Sequence, residues 1–294
     1  MKFFVTGSGG QLGYDVVREL KSRGYNDIAS PRSSELDLTD RDAVIKYIKD
    51  YKPDVIIHSA AYTKVDQAEE DEANALNVNV YATSYISQAA KEVDARLIYI
   101  STDYVFDGEK DLDKVYEVDD RTNPTSIYGL TKLLGEKKAL NNPKTFVVRT
   151  SWVFGINGNN FVKTMLKLSE TRNELNVVSD QYGSPTYTVD LAKLLVDMSL
   201  TNKYGIYHAN NEGYTNWADF AEEIFKSNNI NMKVNHITSD EYPQKAKRPK
   251  NSKLSKKSLI NAGFNLLPTW QDALHRYNEE LKLESKKKLI KELK

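Results

Sequence analysis

Short apolar runs recur along the first half of the chain, each closed by small or polar residues. Each is followed by a stretch whose apolar positions repeat every three or four residues. Phe3-Phe4-Val5, Val55-Ile56-Ile57, Leu97-Ile98-Tyr99-Ile100 and Phe146-Val147-Val148 read as strands buried on both faces. Leu12, Val16, Val17 and Leu20 share a helical face that stops near Gly24, and Val44, Ile45 and Ile48 share another behind Asp40, a capping candidate. Residues 73–93 read as one long helix, and a further helix carries Tyr128. Weaker strands are expected at Asp27–Ser30 and at Leu36-Asp37-Leu38. Strands alternating with helices over residues 1–150 predict an α/β fold with a doubly wound parallel sheet, Rossmann-type.

Past residue 150 the pattern loosens. It predicts helices over 159–169 and 189–200, strands at 177–178, 206–209 and 232–237, a helix capped by Thr215, and closing segments over 259–267 and 270–283. Residues 284–294 read as a charged helix. We assign 1–150, with a return strand and helix around 176–200, to a dinucleotide-binding domain. The rest of 151–294 is assigned to a smaller, discontinuous α+β substrate domain.

Composition narrows the function classes. The 294 residues carry 41 basic and 41 acidic side chains, so no global charge excess points to nucleic acid or to disorder. There is no cysteine, which excludes disulfides, thiolate nucleophiles and cysteine metal sites. The four histidines are widely spaced without a metal-ligand pattern, and no apolar run approaches a membrane span of roughly 20 residues. A cytoplasmic protein with a small-molecule substrate, free of nucleic acid and membrane, is the expectation. The acidic run Asp66–Glu72 and the basic run Lys245–Lys257 read as solvated faces.

Three motifs carry chemistry. The first strand runs straight into Gly7-Ser8-Gly9-Gly10-Gln11-Leu12-Gly13 and then a helix. Glycines there allow a tight turn and close approach of a pyrophosphate to a helix N-terminus. No acidic residue ends the second strand; Ser30 and Arg32 stand there instead, and an arginine can accept a 2′-phosphate, tilting NADPH or NADH toward NADPH. Ser59-Ala60-Ala61-Tyr62-Thr63 closes the strand of His58, itself read as a packing residue. Ser101-Thr102-Asp103 closes the next, placing hydroxyls at a strand end. Tyr128 and Lys132, four apart, share a helical face. A nearby ammonium is expected to lower the phenol pKa and make a general acid or base. Arg248, before Pro249, is a candidate diphosphate clamp, and Asn79 a candidate hydrogen-bonder at a helix kink.

These motifs, in this order, resemble the extended short-chain dehydrogenase/reductases, and within them the dTDP-4-dehydrorhamnose reductase family. The resemblance rests on Thr6-Gly7-x-x-Gly10-Gln11-Leu12-Gly13, Ala60-Ala61-Tyr62-Thr63-x-Val65-Asp66, Ser101-Thr102-Asp103-Tyr104-Val105-Phe106-Asp107-Gly108, Tyr128-Gly129-x-x-Lys132, Arg149-Thr150-Ser151-Trp152-Val153-Phe154-Gly155 and Arg248-Pro249. It implies reduction of the C4 ketone of a dTDP-4-keto-6-deoxy sugar. Tyr128 would donate the proton, Lys132 would hold the nicotinamide ribose, and Thr102 would bond the carbonyl oxygen. Gly10, Gln11 and Leu12 would lie along the pyrophosphate, Asp37 and Leu38 near adenine, and Ala61, Tyr62 and Thr63 near the ribose and phosphates. Asp103 and Trp152 would face the sugar or its nucleotide. Some members hold magnesium at a dimer interface through glutamates; this chain has Asp15 and Asp190 near those places, so no required metal is expected, and monomer and homodimer both stand. Two alternatives remain open here: another nucleotide-sugar 4-ketoreductase or epimerase, marked by tightly held NAD, and a non-catalytic regulatory subunit of a methionine adenosyltransferase, marked by a co-purifying synthetase.

Overall fold

The structure, a computed structural model, describes residues 1–242 and 244–292. Its centre is a six-stranded parallel sheet made of β1 (Phe3–Thr6), β2 (Ile28–Ala29), β3 (Val55–His58), β4 (Arg96–Thr102), β5 (Thr145–Thr150) and β6 (Gly205–His208), in the order β6-β5-β4-β3-β1-β2. Side chains alternate across it. Phe3 and Val5 join Val16, Leu20, Leu191 and Leu195 on one face; Phe4 joins Val44, Ile48, Ile86 and Ala89 on the other. Helices Gln11–Ser22 and Thr188–Ser199 cover the first face, and helices Arg41–Tyr51, Ala82–Glu92 and Ile127–Ala139 the second. Each such core side chain contributes about 1.5–3 kcal/mol by leaving water. The doubly wound α/β expectation holds.

A second core lies beyond β5. Helices Phe161–Ser169 and Trp217–Ser227 pack with the paired strands Glu174–Val178 and Lys233–Ile237 and with helix Trp270–Glu292 around Phe154, Phe220, Trp270 and Tyr277. The last two residues of the expected charged helix 284–294 lie outside the described residues. Among the described residues, no helix is long and apolar enough to cross a membrane.

Several expectations are corrected. The strand near 176 pairs with Lys233–Ile237; the strand returning to the central sheet is β6, after the Thr188–Ser199 helix. Leu36–Leu38 forms no strand, because the Asp37 carboxylate accepts from the Thr39 N–H at 2.9 Å and its hydroxyl at 2.7 Å and closes a turn. Asp40 does cap the next helix, accepting from the Ala43 N–H at 3.0 Å. The helix over 73–93 is interrupted by a wider π turn at Asn77–Tyr81. Asn216, one residue after Thr215, caps the Trp217 helix.

Candidate active site

The carboxyl ends of β1, β3, β4 and β5 open into a cleft of about 1700 Å³. Gly7, Gly10, Gln11, Leu12, Asp37, Leu38, Ala60, Ala61, Thr63, Thr102, Asp103, Tyr128, Lys132 and Trp152 all line it. Tyr62 and Arg248 do not. Gly7 has φ +70°, and a Cβ there would stand 2.7 Å from the Ala60 nitrogen; a Cβ on Gly13 would overlap the Gly7 carbonyl. The glycine loop is thus pressed against the end of β3, where it lines the cleft ahead of the Gln11–Ser22 helix, the Gly10 N–H closing the turn onto the Gly7 carbonyl at 2.9 Å. The Gln11 side chain does not face along the loop: its Oε1 accepts from the Gly155 N–H at 2.9 Å and from Asn160 Nδ2 at 3.1 Å, tying the loop to the segment after β5. Asn157 adds a bond to the Gly9 carbonyl at 2.8 Å. Sequence reading missed both asparagines, whose signal was only an asparagine-rich loop. Arg32 is exposed on the cleft rim, its guanidinium without a partner among the described residues.

Asn79 holds the other wall. Its Oδ1 accepts from the Tyr62 N–H at 2.8 Å, and its Nδ2 donates to the Tyr62 carbonyl at 3.2 Å and to Thr131 Oγ1 at 3.0 Å. The Tyr62 ring turns away, its hydroxyl donating to Asp71 at 3.0 Å. The acidic run is solvated at Glu69, Glu70 and Glu72, as expected, but it also makes ties: Glu69 accepts from the Ile127 N–H at 2.9 Å, and Asp66 accepts from Arg248 Nη2 at 2.9 Å. His58 packs between Thr6 (2.8 Å) and Thr83 (3.0 Å), kept neutral by burial, which drives its pKa down to about 3.

Ser126 caps the Ile127–Ala139 helix through the Gly129 N–H at 3.1 Å, and one turn sets Tyr128 and Lys132 on the cleft side. Lys132 is buried, its ammonium 4.2 Å from the centre of the Tyr99 ring. Burial lowers its pKa to about 7, with Glu136 opposing the shift. The Tyr128 phenol departs from expectation. Burial raises its pKa, a hydrogen bond with Thr102 pulls it down, and Asp103 and Tyr104 push it up; Lys132 is not among the causes. Tyr128 is thus a protonated phenol at neutral pH. Thr102 donates to Asp103 Oδ1 at 3.0 Å, and burial raises the Asp103 pKa to about 6 against hydrogen bonds from Ser252 and Thr102.

On the far side Trp152 takes a positive φ of 49° and stacks on Trp217 with ring centres 3.7 Å apart. Arg248 stands outside, its Nη1 donating to the Tyr104 hydroxyl at 3.1 Å and its Nη2 to Asp66. The basic run that contains it is solvated at Lys245, Lys247, Lys250 and Lys257, but its middle goes inside. Asn251, Ser252, Leu254, Ser255 and Lys256 are buried, and Asn251 Nδ2 donates to the carbonyls of Asp111 and Lys114, both at 3.0 Å. Asp15 accepts from Arg18 at 2.7 Å and from Thr188, and Asp190 accepts from Arg276 at 2.8 and 2.7 Å.

A parallel six-stranded sheet with a glycine loop at its switch point, a strand-end threonine and a tyrosine–lysine pair on one cleft defines an NAD(P)-type oxidoreductase of the extended short-chain dehydrogenase/reductase fold. Residues 1–283 match the family described as RmlD substrate binding domain. The chain is 42% identical over 288 residues to dTDP-4-dehydrorhamnose reductase of Aggregatibacter actinomycetemcomitans, covering 93% of this chain and 97% of the relative. A dTDP-4-dehydrorhamnose reductase structure from Clostridium acetobutylicum superposes with a TM-score of 0.93 at 41% identity, covering 96% of this chain and 100% of that one. That from Bacillus anthracis, in complex with NADP, gives 0.92 at 40% identity, covering 95% and 100%. The chain belongs to the dTDP-4-dehydrorhamnose reductase family.

Proposed function

We propose that this chain reduces the C4 ketone of dTDP-4-dehydro-L-rhamnose to give dTDP-L-rhamnose. The observation that carries the reading is that Thr102, Tyr128 and Lys132 line the same cleft as the glycine loop. The cleft fits a dinucleotide: Gly7 and Gly13 leave no room for side chains between loop and β3, so a bound pyrophosphate would meet backbone at the positive end of the Gln11–Ser22 helix. When bound, the reduced nicotinamide supplies the hydride. Tyr128, protonated at neutral pH, donates its proton to the carbonyl oxygen. Thr102, whose hydroxyl donates to Asp103 in the free protein, turns that hydrogen to the carbonyl oxygen and holds it in place. Lys132 holds the ribose and offsets the phenolate left behind.

Gly10 and Leu12 flank the pyrophosphate and Gln11 fixes the loop. Asp37 and Leu38 would border adenine, and Ala60, Ala61 and Thr63 the ribose and phosphates; Tyr62, its ring turned to Asp71, stays off the cleft. The unpartnered Arg32 supports NADPH over NADH, as does the NADP carried by the Bacillus anthracis relative. The stacked Trp152 and Trp217 give the sugar or base a flat apolar wall, with Asp103 beside it. Arg248, held on Tyr104 and Asp66 outside the cleft, would serve a substrate diphosphate only by leaving those partners. In this reading the central sheet carries the cofactor and the Phe154–Tyr277 core carries the substrate. The reaction goes with a cytoplasmic location and with either a monomer or a homodimer.

The test is an assay on dTDP-4-dehydro-L-rhamnose with NADPH. One NADPH oxidised per sugar supports the reading; no sugar-dependent oxidation refutes it.

A further inference from the structure

Glu136 does not line the cleft, yet it is buried and its carboxylate is fully engaged. Oε1 accepts from Ser101 Oγ at 2.5 Å and from Arg149 Nε at 2.8 Å; Oε2 accepts from Arg149 Nη2 at 2.8 Å. Arg149 spends its remaining nitrogen on the Val118 carbonyl at 3.1 Å. The three residues come from three elements that meet behind the site. Ser101 precedes Thr102 on β4, Arg149 is its register partner on β5, and Glu136 follows Lys132 by one helical turn. The helix is seated closely: a Cβ on Gly135 would stand 2.5 Å from the Asn79 carbonyl. An ion pair this deep, with each side chain 3% exposed, holds one geometry, because an unpaired charge there is strongly unfavourable.

The same carboxylate acts on Lys132. The groups acting on or against that ammonium are the Tyr99 ring on β4, the neutral His58 on β3, and Glu136 on its own helix. Arg149 on β5, though paired with Glu136, is not among the charges acting on Lys132. Glu136 is the anion in this set.

We propose that Glu136 is a positioning residue for the reduction: buried one helical turn from Lys132, it locks the Tyr128–Lys132 helix onto the strand bearing Thr102 and holds its negative charge on the Lys132 side of that helix. The inference rests on the reaction proposed above. Breaking the pair from one side leaves a buried charge, whereas Glu136→Gln/Arg149→Met removes both charges together.

The experiment compares the parent, Glu136→Gln and the double variant by thermal melting, by the pH profile of kcat and KM, and by NMR titration of the Lys132 ammonium in 15N-lysine-labelled protein, assigned against Lys132→Met. In whichever variant folds, the ammonium midpoint moves down by about one pH unit. The alkaline limb of kcat follows it, so kcat at pH 8 falls about tenfold with KM within about twofold. A midpoint and limb at the parental positions overturn the proposal and leave Glu136 a purely structural residue. Should neither variant fold, Ser101→Ala tests the lock: kcat falls about threefold with KM held, and a parental kcat overturns it. The ammonium titration needs no sugar, so a parent inert on the nucleotide sugar would refute the reaction while the NMR midpoint still decides the role of Glu136.

Discussion

Asn79 grips the Tyr62 peptide from both sides, accepting from its N–H at 2.8 Å and donating to its carbonyl at 3.2 Å. The wider turn at Asn77–Tyr81 places this side chain between the loop after β3 and Thr131 on the Tyr128 helix. Asn79→Ala leaves those buried groups without a partner. It is expected to destabilise the fold by about 1–3 kcal/mol and to weaken NADPH binding roughly tenfold, checked by thermal melting and a fluorescence titration. Unchanged NADPH affinity would show that the loop needs no such support.

Gly13 admits no side chain. A Cβ there overlaps the Gly7 carbonyl and stands 2.8 Å from Ser59 Oγ. Gly13→Ala forces helix and β3 apart, at about 1–3 kcal/mol, and should abolish measurable NADPH binding in protein that still folds.

Asp103 puts a pH dependence into stability. Its pKa rises from an ordinary 3.8 to about 6, with burial the largest cause. Between those values the folded state binds the proton more tightly, so stability falls as pH rises from about 4 to about 6, and the cost is fully present above. Asp103→Asn is expected to be more stable than the parent at pH 7.5 by about 1–3 kcal/mol, with the gain vanishing below pH ~4. Denaturant melts at the two pH values check this; a gain that persists at the acid end would contradict it. The same variant should lose kcat/KM, since Asp103 lines the cleft and accepts from Thr102.

Arg32→Ala should weaken NADPH by about tenfold or more while leaving NADH affinity unchanged, because only the 2′-phosphate distinguishes the two. Equal loss for both cofactors would remove Arg32 from the specificity argument.

Much of the fold was legible because strands buried on both faces show as unbroken apolar runs, and helices with one buried face show their period. The Tyr128–Lys132 pair and the glycine loop were legible for the same reason: their spacing needs only local geometry. What escaped depends on distant partners. Asp66, Glu69 and Asp71 look like a solvated acidic face until Arg248, Ile127 and Tyr62 arrive from elsewhere in the fold. The Lys245–Lys257 run looks solvated, yet Asn251 and Lys256 go inside, the Lys256 ammonium 4.3 Å from the Tyr214 ring centre. Glu136 gave no sign on its helix. The available clue was Arg149, a charge ending a run of apolar strand residues, where an arginine needs a buried partner. The phenol pKa went the other way from expectation because burial raises it, while Lys132, which spacing alone had placed beside it, is not among the groups acting on it.

The most direct test of the account is sugar-dependent NADPH oxidation by the parent and by Tyr128→Phe, side by side. The account predicts one NADPH consumed per dTDP-4-dehydro-L-rhamnose by the parent, and turnover about 10²–10⁴-fold slower in Tyr128→Phe with NADPH affinity kept. Near-parental turnover in Tyr128→Phe, or sugar conversion without net NADPH consumption, would contradict it.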